Sequence, residues 1–279
     1  MGKTILNRRS LTFLLLLWVV TGASGAEQPQ RVISINLCTD QLLLMLGRPD
    51  QIASVSHLAL EPNSSYMAAQ AANYPVNHAK AEEILALKPD LVLAGAYTDR
   101  SLIALLKKLG YRVEQFPLAS SVEDIRGNIH RMAGLIGREA QGRQMIEAMD
   151  ERLERIKRQL PEIRPKGAFY QPNGYTGGIN TLQHSALELA GWENIAALEG
   201  VIGYGAIDLE RLILARPVQL FTSSYAPGTH SRGQQLLQHP VLRQLTRGRA
   251  PIEVAYRYWI CGGPMIAEAV EILHRSLPR

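Results

Sequence analysis

Two cysteines and a set of loop histidines carry most of the chemical potential of this chain. One cysteine sits in Ile35-Asn-Leu-Cys-Thr-Asp-Gln-Leu42, between the apolar runs Arg31-Val-Ile-Ser-Ile35 and Leu42-Leu-Leu-Met-Leu46. The other, Cys261, lies far along the chain in Trp259-Ile-Cys-Gly-Gly-Pro264. A thiolate ligates soft metals, two thiols oxidise to a bridge, and a buried thiol behaves as a small hydrophobe. A bare Zn or Mn site needs three or four convergent His, Cys or carboxylate ligands. His57, His230, Cys38 and Cys261 are the candidates for such a site, although their spacing forms no metal motif. No nucleophile elbow, zincin helix, phosphate loop or dinucleotide fingerprint is present. Gly174-Tyr-Thr-Gly-Gly178 lacks a phosphate-loop lysine and reads as a cleft loop. The expectation is a binder with no catalytic residues.

Export shapes how those residues are read. Residues 1–26 have a positive start (Lys3, Arg8, Arg9), an apolar stretch from Leu11 to Val20 and the small residues Thr21-Gly-Ala-Ser-Gly-Ala26. This is the pattern of a secretory signal peptide, too short in its apolar part to span a bilayer. It holds three of the 30 basic residues and none of the 25 acidic ones, which leaves a nearly balanced chain of about +2. With no basic run interleaved with aromatics, nucleic acid is not an expected partner. The cleavage region has no cysteine, so the expectation is a periplasmic protein without a lipid anchor, in a compartment that permits disulfides.

The elements that must position these groups alternate. Strands are expected at Arg31–Ile35, Ile52–Ser56, Leu91–Ala94 and Arg112–Phe116. Helices are expected from Asp40 to Leu46 with Thr39 as N-cap, Ala81 to Leu87, and Arg100 to Leu109. Ser120 and Ser121 stand at capping-box spacing from Glu123 and Asp124, ahead of a strandless, charge-rich stretch with a helical period. Gly134, Gly137 and Gly142 are expected to break it into two pieces, the second running from Glu139 to Leu160. Beyond Pro165 the alternation resumes. It comprises strand Gly167–Tyr170, helices Leu182–Ala190 and Leu209–Ala215, strand Gln219–Thr222, helix Gln234–Leu237, strand Ile252–Ala255 and helix Met265–Leu277. The inferred fold is α/β: an N-terminal lobe (27–119) and a C-terminal lobe (165–279), each with a parallel-type sheet flanked by helices, joined by a long helical connector (120–164).

Ligands of parallel α/β sheets bind beyond the carboxyl ends of the strands. That rule selects Asn36, Cys38, Thr39, His57 and Tyr97 on the first lobe. On the second it selects Gln171, Tyr175, Tyr225, Tyr258, Trp259 and Cys261. Aromatic rings of this kind offer rigid contact area with a polar tip, suited to a bulky organic ligand.

Glu82-Glu-Ile-Leu-Ala-Leu-Lys-Pro-Asp-Leu-Val92 resembles the first-lobe signature of periplasmic binding proteins of the helix-linked class. The resemblance extends through Leu187-Glu-Leu-Ala-Gly-Trp-Glu-Asn-Ile195 to Pro264-Met-Ile-Ala-Glu-Ala269. It implies a monomeric binding component of an ABC importer, which hands a ferric siderophore, haem or cobalamin to a permease and ATPase complex at the inner membrane. The chain would have no cofactor of its own, and iron or cobalt would arrive with the ligand. The alternative is a bare transition-metal ion carrier with Cys and His ligands. The resemblance further implies permease docking through Glu82 and Glu210, each seven residues before a proline (Pro89, Pro217), and a connector that permits only modest opening. The chain departs from the family in having Asn36-Leu-Cys-Thr-Asp40 in the first loop and no arginine cluster for a siderophore.

Cys38 and Cys261 fall at strand carboxyl ends, one per lobe. A bridge between them would lock the cleft shut, which is awkward for a carrier that must release cargo. The favoured expectation is therefore a pair of cleft-facing thiols able to ligate the metal of a chelate, ahead of inert burial and of a disulfide.

Overall fold

Short runs of Val, Ile and Leu assemble into two separate parallel sheets, one before and one after a pair of helices. The computed structural model describes residues 28–224, 237, 240–246 and 248–278, together with residue 2. The signal peptide expected at 1–26, Tyr225, His230 and most of the helix expected at Gln234–Leu237 thus lie outside the described residues.

The first sheet contains β1 (Val32–Ser34), β2 (Ile52–Ser56), β3 (Val76–Asn77), β4 (Leu91–Gly95) and β5 (Val113–Phe116) in the order β3-β2-β1-β4-β5. All its pairings are parallel. Every residue of β4 is buried, as expected for a central strand with both faces covered. Around this sheet run α1 (Leu37–Leu46), α2 (Ala68–Ala71), α3 (Ala81–Ala86) and α4 (Arg100–Lys108). The sequence fixes the start of α4, where Asp99 accepts a hydrogen bond from the Leu102 amide at 2.8 Å.

A helical hairpin follows, made of α5 (Val122–Ile136) and α6 (Glu139–Lys157). The capping box forms between Ser121 and Asp124, each side chain accepting from the other's backbone amide. Of the three glycines expected to interrupt this stretch, only Gly137 does so, with φ +68. Gly142 lies within α6, where a Cβ would fall 2.6 Å from that of Ala133. It therefore serves close helix contact rather than a break. Arg126 on α5 pairs with Asp150 on α6 at 2.8 Å, so the two helices run antiparallel.

The second lobe holds β6 (Lys166–Phe169), β7 (Tyr175–Gly177), β8 (Glu193–Asn194), β9 (Tyr204–Ala206), β10 (Gln219–Thr222) and β11 (Ile252–Glu253). Its parallel sheet runs β11-β10-β6-β8, and β7 and β9 form a separate antiparallel pair. Helices α7 (Leu182–Ala190), α8 (Ile195–Leu198), α9 (Leu209–Ala215), α10 (Pro240–Leu245) and α11 (Ile266–Arg275) complete it. No described helix is long and apolar enough to cross a membrane. One apolar core runs from Leu42 and Leu46 on α1, through Ile129 and Met149 of the hairpin, to Ala186 on α7 and Leu273 on α11. The lobes are not beads on a string.

Helix α1 begins earlier than the sequence pattern suggests. Its N-cap is Asn36, whose Oδ1 accepts from the Cys38 amide at 3.0 Å. Thr39, the expected cap, is instead buried inside the first turn and hydrogen-bonded to Ser34. One turn on, the buried Asp40 accepts from the Ser56 amide at 3.0 Å and from the Ser56 hydroxyl at 2.5 Å, tying α1 to the end of β2. Burial pushes the Asp40 carboxyl up to about 7 from 3.8, against the lowering effect of its hydrogen bonds with Ser34 and Ser56. Between those values the folded chain holds a proton that the unfolded chain has lost, so stability falls as pH rises from 4 to 7. Urea titrations across that range should show this decline in the parent and a flatter profile in Asp40→Asn. An unchanged slope in the variant would remove Asp40 as its source.

Candidate ligand cleft

The strands of both sheets aim their carboxyl ends at a common gap, and a cavity of about 570 Å³ opens there. Its volume is that of a site for a sizeable organic molecule. On the first lobe the wall comes from Asn36 to Thr39 after β1, Gly95 to Tyr97 after β4, and Phe116 to Leu118 after β5. The second lobe contributes Gln171, Tyr175, Tyr204, Tyr256 and the segment Trp259 to Cys261. Asn128 of α5 and Gln183 of α7 close the remaining sides. No Asp, Glu, Lys, Arg or His is among the described residues lining the cavity.

Local geometry explains several of these placements. Gly95 lets the chain pass under Asn36, because a Cβ there would land on the Asn36 carboxamide. Trp259 is buried, donates its indole N–H to the Ser223 hydroxyl at 2.9 Å and meets Phe169 edge-on at 4.8 Å. Tyr175 and Tyr204 face each other diagonally across the β7–β9 ladder, with ring centroids 5.7 Å apart and planes 6° from parallel. Each is about half exposed, so together they form an aromatic shelf at the mouth. The Tyr204 phenol is pushed up to about 12 by the surrounding protein, with Tyr175 and Tyr256 adding to the effect. At neutral pH it is an uncharged hydrogen-bonding group. Tyr97 stands on the opposite wall, 83% exposed.

The cysteines require a correction. Cys38 and Cys261 are joined in a disulfide, with Cα atoms 4.7 Å apart. They are neither free thiols nor available as metal ligands in this form. The argument against a bridge assumed that the sulfurs face each other across an open gap. The shared core instead brings the amino end of α1 against the segment leading into α11, at the cavity floor. There Gly262 packs on Ala119, Leu182 and Ile125 at the base of the connector, with φ +64. A bond at the floor leaves the mouth open.

Two other expected residues lie away from the cavity lining. His57 follows β2 towards the outer side of the first sheet, where its ring stacks on His78 at 5.0 Å. Tyr258 turns towards Tyr66, 6.1 Å between centroids, and lies under the Arg257 guanidinium at 5.7 Å. With His57 displaced and the two sulfurs bonded to each other, the three described donors of the expected metal site, Cys38, Cys261 and His57, do not converge. No group of three or more metal-binding side chains occurs among the described residues. Asn36, Cys38, Thr39, Tyr97, Gln171, Tyr175, Trp259 and Cys261 are brought together. Sequence reasoning missed Asn128, Gln183 and Tyr204. The two amides sit on helices, whereas strand-end loops were the search criterion, and Tyr204 belongs to a three-residue strand interrupted by glycine.

The disulfide closes a loop across almost the whole folded chain, a separation of 223 residues. Replacing both cysteines by serine should lower the unfolding free energy by about 2–5 kcal/mol. Urea denaturation of the oxidised parent and the double variant checks this, and equal midpoints would count against an interlobe clamp.

Comparison with known proteins adds family relationships to this geometry. The periplasmic binding protein family matches residues 32–249. A cobalamin-binding protein of Halobacterium salinarum is 29% identical over 175 residues, 61% of this chain and 47% of that protein. The chain thus spans about half the length of that relative. A vitamin B12-binding protein of Yersinia pseudotuberculosis is 27% identical over 229 residues, covering 80% of this chain and 78% of the relative. In fold, the chain superposes on a periplasmic haem-binding protein of Vibrio cholerae with a TM-score of 0.75 at 19% identity, over 89% of this chain and 99% of that one.

Proposed function

The chain belongs to the periplasmic binding protein family, and we propose that it is the exported, substrate-binding component of an ABC importer. It captures a metal chelate between its lobes and delivers it to the permease and ATPase complex. The observation that carries this reading is the interlobe cavity, walled by rings and amides and free of charged side chains among the described residues. Such a wall suits a large, neutral, partly apolar ligand. Burying an ionised group without a partner costs several kcal/mol, which sets haem propionates and anionic catecholate chelates at a disadvantage. Corrinoids and neutral ferric siderophores bring no net charge of this kind, and the likeness to cobalamin- and B12-binding relatives supports corrinoids as the first choice. In this reading the metal belongs to the cargo, and the chain works as a monomer without a cofactor of its own.

Delivery is assigned to Glu82 and Glu210. Both are exposed in the first turns of α3 and α9, and neither has an ion pair among the described residues. The neighbouring Glu83 is differently employed, accepting from the His78 amide at 2.6 Å. Because each helix runs back along its sheet, its amino end stands at the level of the strand carboxyl ends. The two carboxylates therefore flank the cleft side of the protein, where they can orient docking on permease arginines.

Binding is tested on the purified exported protein by Trp fluorescence, with Trp259 in the wall as reporter. Cyanocobalamin, haemin, ferric siderophores and free Zn and Mn are the ligands to compare. A neutral chelate should quench emission at micromolar concentration or below, whereas tight binding of a bare ion alone overturns the reading. For docking, Glu82→Lys combined with Glu210→Lys should cut cellular uptake about tenfold or more, with chelate affinity unchanged. Intact uptake in that double variant removes both residues from the docking role.

A further inference from the structure

Below its aromatic mouth the cavity carries four side-chain carboxamides, those of Asn36, Asn128, Gln171 and Gln183. The protein leaves much of their hydrogen-bonding capacity unused. Asn36 engages its Oδ1 with the Cys38 amide, which leaves its Nδ2 as a donor. Asn128 donates Nδ2 to the Pro117 carbonyl at 3.2 Å, which leaves its Oδ1 as an acceptor. Among the described residues, Gln171 enters hydrogen bonds only through its backbone. Gln183 is the extreme case: it is 2% exposed, and its Oε1 has no partner. Three other buried polar atoms are also unpaired, on Gln41, Gln51 and Ser65, but none of those residues lines the cavity.

An unpaired buried amide is destabilising, and a leucine at this position of α7 would avoid that cost. Gly177 bears no side chain beside the Gln183 oxygen, where a Cβ would stand only 2.6 Å away. The unpaired oxygen thus lies against the Gly177 backbone, within a wall that has the volume and apolar character of a ligand site, and a turn of the Gln183 amide brings it to a guest.

We propose that Gln183, together with Asn36, Asn128 and Gln171, is a specificity frame that reads neutral carboxamide groups on the cargo. This rests on the reading of the cavity as a chelate site. A carboxamide both donates and accepts, and so does the frame, with a free donor on Asn36 and free acceptors on Asn128 and Gln183. A carboxylate only accepts. It can use only the frame's donors, leaves the Asn128 and Gln183 oxygens unpaired, and meets no cation among the described lining residues to compensate its charge. Sites built for a hydrogen-bonding group reject analogues lacking it far more strongly than apolar pockets reject a missing methylene. The frame selects chelates fringed with amides over chelates fringed with acids. Two cargo chemistries satisfy it, a corrinoid with peripheral carboxamides and a peptide-based ferric trihydroxamate.

The test uses the purified exported protein with cyanocobalamin, the monocarboxylic acids made by hydrolysing its side-chain amides, and a cyclic-peptide ferric trihydroxamate. The parent should bind at least one amide-bearing chelate. Which of the two it binds identifies the source. If the corrinoid is bound, its acids should bind about tenfold or more weakly. Gln183→Leu and Gln183→Met should each weaken binding of the preferred chelate about tenfold while keeping or raising the unfolding midpoint, because no hydrogen bond within the protein is lost. Wild-type affinity in both variants, or equal affinity for corrinoid amide and acid, overturns the frame and leaves the chelate reading standing. A fall in stability alongside the loss of affinity marks Gln183 as structural and also overturns it. Failure of the parent to bind any chelate sinks both.

Discussion

The bond between Cys38 and Cys261 is the constraint on which the cleft depends. It joins the amino end of the first long helix of one lobe to the segment that leads into the last helix of the other. The apolar core continues past it through α5, α6, α7 and α11, so the covalent link and the packing hold the same junction. Polar contacts add to it: Tyr66 donates to Glu268 at 2.5 Å, and Arg257 donates to the Pro62 carbonyl at 3.3 Å. Each joins the loop after β2 to the segment beyond β11. The cavity floor is therefore a rigid seam, and what freedom remains belongs to the mouth.

Charge is distributed in a way that complements this seam. The described cavity lining has no ionised side chain, while Glu82 and Glu210 stand exposed on the same side of the protein. An uncharged interior keeps desolvation of a neutral guest cheap. Exposed carboxylates act at longer range and orient the whole body towards a basic surface. In the proposed reading, recognition of cargo and recognition of the importer would use different physics on different residues, so that one could be altered without the other.

Much of the fold was legible because strong local patterns met no tertiary opposition. The strand at Ile52–Ser56, the helices at Leu182–Ala190 and Leu209–Ala215 and the strand at Gln219–Thr222 have the bounds that their apolar runs suggest. Where two readings competed, tertiary context decided. Asn36 and Thr39 are both good caps, and Asn36 prevailed because Gly95 leaves room for its carboxamide. Gly134 and Gly142 look like helix breakers in the sequence, but Gly142 is needed for the contact with Ala133. The β7–β9 pair was hidden by its short, glycine-interrupted strands. The disulfide could not be read from sequence, since nothing local in INLCTDQL or WICGGP encodes their meeting. The strand-end loops that line the cavity could be picked out in the sequence, while Asn128 and Gln183 were concealed in helices whose periodicity suggests packing alone.

The seam has a consequence for how an importer would tell a loaded carrier from an empty one. In receptors with a free hinge, the angle between lobes reports occupancy, and the membrane partner can measure it as the spacing of two docking points. Here a covalent bond and a common core join the lobes at the floor, so in the proposed reading the distance between α3 and α9 would change little with filling. Occupancy must then be advertised locally, by the guest itself at the mouth or by the posture of rings such as Tyr97, Tyr175 and Tyr204. In the proposed role the chain would work less as a jaw than as a tray, and its partner would have to look at what lies on it.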